Sequence, residues 1–332
     1  MRQKLRKVSC PETLICAVML LGIMGLGITV NAQEKFPSRP VDLIVPAPPG
    51  GGTDVISRLL ADVIESSAGQ KVIVVNKPGA SATIGLAAVA QAKPDGYTLG
   101  NAWEGPLTAA PQVLKVSYTL DDFSYLSWIS KYGLLFCVRS EFPARTAQEF
   151  FEYARKQPGK LTYSSDGVGG GVHFAAERVF QAMKVKLRIV PYGGAGDSIK
   201  ALLGGHVDVY GGTITPAIPH IKAGVIRALF VTTKERAEAL PEVPGVSDLG
   251  CPEAESVCFR GVIGPKGIPA DRLAILEKML QHATQTPKVR EYLLKTLGET
   301  VVASTGKQFE EMVRKEFASK ETTAKTIGLS PK

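Results

Sequence analysis

Val41-Asp42-Leu43-Ile44-Val45, then Pro46-Ala47-Pro48-Pro49-Gly50-Gly51-Gly52-Thr53-Asp54, then residues 55–65: this run decides the fold. It reads as a strand, a glycine-rich loop and an amphipathic helix, with Val55, Ile56, Leu59, Leu60, Val63 and Ile64 at helical spacing. A second run has the same layout. Lys160-Leu161-Thr162-Tyr163 leads into Ser164-Ser165-Asp166-Gly167-Val168-Gly169-Gly170-Gly171, and residues 172–183 follow as a helix. A glycine loop that opens a helix aims unpaired N–H groups and the positive end of the helix dipole at one spot. One such loop predicts an anion site. Two, one in each half of the chain, predict a jaw that closes on a small acid. No Gly-Lys-Ser/Thr follows Gly52, which excludes a Walker-type phosphate loop.

Outward from these runs, strand and helix patterns alternate with glycine or proline between them. Residues 71–75, 123–130, 133–138, 187–190, 207–210, 226–232 and 257–263 read as strands; 84–92, 146–156, 197–203, 269–285, 287–297 and 306–327 read as helices. The β-α-β order predicts an α/β fold with parallel or mixed sheets flanked by helices on both faces, whose ligands bind outside the carboxyl ends of the strands. Both glycine loops fall at that place. Proline and glycine cluster around 241–252 and 264–269, where a crossing between lobes is expected.

The 332 residues suffice for two domains with sizeable cores, and 45% hydrophobic with 21% charged content is ordinary for a folded soluble protein. Residues 1–32 read separately. Arg2, Lys4, Arg6 and Lys7 precede an uncharged apolar run over 14–30, and Val30-Asn31-Ala32 offers small residues for cleavage. This predicts an export signal removed after Ala32, with Gln33 the first mature residue. Of the net charge of +8, residues 1–32 carry +3, leaving +5. No basic block with interleaved aromatics exists, so nucleic acid is not an expected partner. Beyond residue 32 the cysteines are Cys137, in an apolar strand pattern, and Cys251 and Cys258, which could pair in an oxidising compartment or remain free. No Cys/His spacing suggests a metal, and no cofactor is expected.

Further motifs run in register with the first loop. They include Phe36-Pro37-Ser38-Arg39-Pro40, Val75-Asn76-Lys77-Pro78-Gly79-Ala80, Ala92-Lys93-Pro94-Asp95-Gly96-Tyr97-Thr98-Leu99, Leu202-Leu203-Gly204-Gly205-His206-Val207-Asp208 and Pro219-His220-Ile221-Lys222-Ala223-Gly224. With the Pro-Pro-Gly-Gly-Gly-Thr-Asp loop, this ordered set closely resembles the Bug/TctC family, periplasmic solute receptors of tripartite tricarboxylate-type transporters. The resemblance covers nearly all of residues 36–330. It implies a two-lobed type II periplasmic-binding-protein fold, with lobe 1 from residues 33–133 and 256–332 and lobe 2 from 134–255. It implies a ligand carboxylate held in the cleft by backbone N–H groups, small hydroxyls and waters. Carried over, the ligand-binding residues are Pro48, Gly50, Gly51, Gly52, Thr53 and Asp54 of the first loop, and Ser164, Ser165, Gly167, Gly169, Gly170, Gly171 and His173 of the second. Trp103 and Glu104 form a third wall; Tyr192, Gly212 and Thr213 contribute to a fourth.

The departures from the family pattern bear on the ligand. Trp103 and Glu104 stand where a small residue and an asparagine are common, Gly170 where the second loop often has Ser or Thr, and Gly212 where an acid is frequent. Trp103 offers a face for a ring or a cation, and Glu104 in the cleft would repel a second carboxylate. The expected ligand therefore has one carboxylate and an aromatic or amine-bearing body. Thr53 and Asp54 double as helix caps, and Asp54, so near an anion, is expected to turn its carboxylate away. The expected protein is a monomeric receptor that delivers its solute to membrane permease subunits. An adaptor for a membrane sensor kinase is the alternative. An enzyme is not expected, because no G-x-S-x-G elbow occurs and His173, His206, His220 and His282 show no local arrangement with a nucleophile.

Overall fold

The computed structural model describes residues 36–331. The export signal and its cleavage point at Ala32 lie outside the described residues. The chain divides into Met1–Ser38 and Arg39–Lys332, and the second unit carries everything below.

Two sheets organise it. The first has the order β11-β4-β10-β3-β1-β2, from β1 (Val41–Val45), β2 (Val72–Asn76), β3 (Thr98–Trp103), β4 (Phe123–Tyr132), β10 (Cys258–Pro265) and β11 (Thr300–Val301). The second has the order β7-β6-β8-β5-β9, from β5 (Leu135–Arg139), β6 (Thr162–Ser165), β7 (Arg188–Pro191), β8 (Val209–Gly212) and β9 (Ile226–Val231). Each sheet is mixed. β1 is parallel to β2 and β3, while β10 runs antiparallel to β3 and β4; β6 is parallel to β7 and β8, while β5 runs antiparallel to β8 and β9. The strands of the first sheet thus come from both ends of the described chain, and those of the second from its middle.

Each glycine run does locally what its residues dictate. After β1, the chain turns through residues 46–51 and starts α1 (Gly52–Ala68), whose apolar stripe buries Ile56, Leu60, Val63 and Ile64. After β6 it turns through 166–170 and starts α4 (Gly171–Ala182); α2 (Thr83–Ala90) and α3 (Ala147–Arg155) lie between. The helices α5 (Ala195–Leu203), α6 (Ile218–Lys222), α7 (Ala270–Gln285), α8 (Pro287–Glu291) and α9 (Gly306–Thr326) complete the layers. The first sheet packs around Phe123, Phe259 and Phe309. The second packs on one side around Phe136, Phe150, Phe151, Phe180 and Phe230, and on the other around Leu135, Leu202 and Tyr210.

The chain crosses between the sheets at residues 133–134 and 232–256, and the two crossings are bonded to each other. Thr232 N donates to the Leu134 carbonyl at 3.0 Å, and Leu134 N donates back to Thr232 Oγ1 at 3.0 Å. The same hydroxyl donates to the Ser256 carbonyl at 2.9 Å.

Candidate functional site

A cavity of about 670 Å³ lies where the carboxyl ends of β1 and β3 face the loop after β6. Pro46, Ala47, Pro48 and Trp103 come to it from the first sheet, and residues 166–171 from the second. Pro48, Trp103, Gly167, Gly169, Gly170 and Gly171, all proposed from sequence, are brought together here. Gly193, beside Tyr192, is also on the wall. Another cavity, of about 420 Å³, sits between residues 107–121 and α9 and receives nothing from either glycine loop.

The second loop is closed by its own side chains. Gly169 N donates to His173 Nδ1 at 2.9 Å, which leaves the ring proton on Nε2, 4.0 Å from Glu177 Oε1. Burial lowers the His173 pKa and keeps the ring neutral. Gly170 N donates to the Gly167 carbonyl at 3.1 Å. The first helical amides of α4 are occupied by Asp166: Gly171 N reaches Oδ2 at 3.0 Å and Val172 N reaches Oδ1 at 3.1 Å. Ser165 Oγ lies 3.2 Å from Oδ1 and 3.2 Å from the Gly167 carbonyl, sharing its one proton between them. The Asp166 carboxylate is open to the cavity but enclosed by protein around it. That enclosure raises its pKa against the pull of the Val172 and Ser165 bonds. Among the described residues, the amides of Gly167 and Val168 carry no bond and remain free donors.

The first loop has a comparable brace. Asp54 is buried and accepts from Gly50 N at 2.9 Å, from Arg58 Nε at 3.0 Å and Nη2 at 2.9 Å, and from Asn76 Nδ2 at 2.9 Å. The Arg58 bonds come first in holding its pKa down at about 2. Its carboxylate thus points back into the protein. Thr53 Oγ1 accepts from Arg260 Nη1 at 2.7 Å, inside a group where Arg260 also binds Glu299 at 2.8 Å. Gly50, Gly51 and Gly52 are exposed beside the cavity, not on its wall, and the amides of Gly51, Gly52 and Thr53 have no partner among the described residues.

Other expected residues lie elsewhere. Trp103 ends β3 facing the cavity, and the next side chain, Glu104, turns the opposite way into the interior. Strand alternation accounts for the split. Glu104 accepts from Tyr132 Oη at 3.4 Å, and burial raises its pKa against the attraction of Lys320. The expectation that Glu104 faces the ligand is therefore corrected; it stands behind the wall at Gly171. Ser164 is buried with Oγ accepting from Gly211 N at 3.2 Å. Ser165 is buried and serves Asp166. Tyr192 packs on the second core, Gly212 is buried against the Tyr210 ring, and the Thr213 carbonyl accepts from Tyr210 Oη at 2.7 Å. None of these six lines the cavity. Cys137, Cys251 and Cys258 are buried free thiols. Among the described residues no cluster of His, Cys, Asp and Glu is arranged for a metal, and no helix is long and apolar enough to cross a membrane.

Sequence reasoning missed Asp166. An aspartate before glycine reads as a turn residue, and only the fold shows its carboxylate reaching forward to the helix start. It also missed Ser81, Val113 and Leu114, which border the cavity from segments with no local motif.

Two mixed sheets joined by two crossings, with a cavity at the carboxyl ends of their strands, define a solute-binding receptor of the periplasmic type. Residues 56–329 match the family described as Tripartite tricarboxylate transporter family receptor, and the chain belongs to it. It is 33% identical over 280 residues to the UPF0065 protein in the gbd 5'region of Cupriavidus necator, covering 84% of each chain. Among solved structures it is similar to an R. palustris protein with adipate, at 27% identity and a TM-score of 0.76, covering 90% of this chain and 100% of that one. It is also similar to MatC from Rhodopseudomonas palustris with bound malate, at 28% identity and a TM-score of 0.72, covering 87% and 99%. As a member of this family the chain is a periplasmic solute receptor.

Proposed function

We propose that this receptor captures a small organic acid by its carboxylate in the 670 Å³ cavity and delivers it, as a monomer, to membrane permease subunits. The observation that carries the reading is the pairing of free donors with a cavity between the sheets. Gly167 and Val168 offer amides on one side; Gly51, Gly52 and Thr53 offer amides beside the other. Closure of the two lobes about residues 133–134 and 232–256 brings the first-loop amides onto the acid and expels water, which strengthens each charge–dipole contact. The adipate and malate in the two similar R. palustris structures support a carboxylate ligand. Trp103 supplies a flat apolar wall, so the body of the acid is aromatic or amine-bearing.

The test is to purify the protein natively, denature it, and identify by mass spectrometry what is released. A carboxylate-bearing metabolite in near-equal amount to protein supports the reading. Release of nothing, together with no thermal shift from any carboxylate in a broad screen, contradicts it.

A further inference from the structure

We infer that Asp166 is the specificity-determining residue of the cleft: its carboxylate fills the helix-start seat a second ligand carboxylate would need, and selects a solute carrying a cationic nitrogen beside its one carboxylate. The inference rests on the carboxylate-receptor reading above.

Four observations converge. First, the amides of Gly171 and Val172, the strongest anion donors at the start of α4, are already bonded to Asp166. A dicarboxylate would have to displace a tethered carboxylate or sit against it at like charge. Second, among the described residues Asp166 is the single charged side chain on the cavity wall, and none of them that lines it is a lysine or arginine. Third, the oxygens of Asp166 are unequally used. Among the described residues, Oδ1 accepts from Val172 and shares the single Ser165 hydroxyl proton with the Gly167 carbonyl, whereas Oδ2 accepts from Gly171 alone. A carboxylate oxygen takes about two donors, so Oδ2 retains a place for an N–H from the cavity. Fourth, Trp103 stands on the same wall. A ring face and a carboxylate in one cavity form a cation site. Gly170 makes the arrangement possible, because a Cβ there would land on the Asp166 carboxylate. A side chain at residue 170 and the Asp166 carboxylate are thus alternatives for one space. The ligand's own carboxylate then goes to the neighbouring free amides of Gly167 and Val168.

The experiment is calorimetry with matched triples that differ in one group. One triple is phenylalanine, 3-phenylpropanoate and benzylmalonate; equivalent triples on indolyl and alkyl skeletons complete the set. In the triples that bind, the wild type takes the ammonium-bearing member at least about tenfold more tightly than the monocarboxylate, and the dicarboxylate most weakly. Asp166→Asn reduces that preference to about threefold or less and improves dicarboxylate binding. The double variant Asp166→Ala with Gly170→Ser, which places a hydroxyl at the helix start, does the same; thermal melts establish that each variant is folded. A wild-type preference for the dicarboxylate, or an order unchanged in a folded variant, overturns the inference while leaving carboxylate capture intact. If no member of any triple binds, the inference is overturned, and carboxylate capture is decided separately by the native-release experiment and the broad thermal-shift screen.

Discussion

Asp54 and Asp166 each place a negative charge beside a row of amides, with opposite consequences. Asp54 is tied to Arg58, Gly50 and Asn76 and braces its loop from behind. Asp54→Ala should cost about 1–3 kcal/mol by leaving these donors unmatched, read as a shift in denaturant midpoint. Because its folded pKa lies below the ordinary 3.8, at about 2, its stabilisation is complete above 3.8 and is lost as pH falls through about 2. Arg58 is half exposed, so the pH-dependent part is about 1–2 kcal/mol and shrinks in salt. Melts stepped down through that window should lose this increment in the wild type and not in Asp54→Ala. The inward turn of Asp54 was legible in the sequence, since a carboxylate beside an anion costs free energy that turning it onto neighbouring donors avoids. The reach of Asp166 was not, because it depends on a Cβ missing four residues later, at Gly170. Gly170→Ala should displace that carboxylate and lower stability by about 1–3 kcal/mol, measured by thermal melting.

At the scale of elements, the helix starts were nearly all readable. The apolar spacing from Val55 led to α1, Asp271 marked the first turn of α7, and Gly306 opened α9. The segment after β3 was not. Gly105-Pro106 reads as a loop, but residues Gly105–Ala109 form one π-helical turn, followed by a short turn at Ala110–Gln112. That turn takes over just past the alternation that leaves Trp103 on the cavity wall and buries Glu104. The charge buried with Glu104 comes from α9, where Lys320 lies 1% exposed and 3.3 Å from Glu316. Glu316 also lies 3.7 Å from Arg178 of α4. No periodicity announces such a group; a lysine in an amphipathic helix reads as solvated. Lys320→Ala should destabilise the protein by about 3–5 kcal/mol, because it leaves carboxylates buried without their cation. Equilibrium denaturation gives the number, and Lys320→Met should recover none of the charge-dependent part.

At the scale of the whole molecule, the order of motifs carried the two-sheet architecture, with the middle of the chain forming one sheet and its flanks the other. What the sequence could not supply is how the sheets are coupled, since that depends on bonds between residues far apart. Thr232 Oγ1 accepts from Leu134 and donates to Ser256, so one hydroxyl ties both crossings. Thr232→Val should cost about 1–3 kcal/mol by stranding two buried backbone groups. Under the proposed closure about these crossings, it should also weaken ligand binding without touching the cavity; the check is calorimetry beside a melt. The central claim is that the solute sits against Trp103 at the carboxyl ends of both sheets. The direct measurement is the emission of Trp103 in a Trp128→Phe background, titrated with the acid released from native protein. The account predicts a saturable one-site change that tracks the calorimetric isotherm; one-site binding by calorimetry with Trp103 emission unmoved would contradict it.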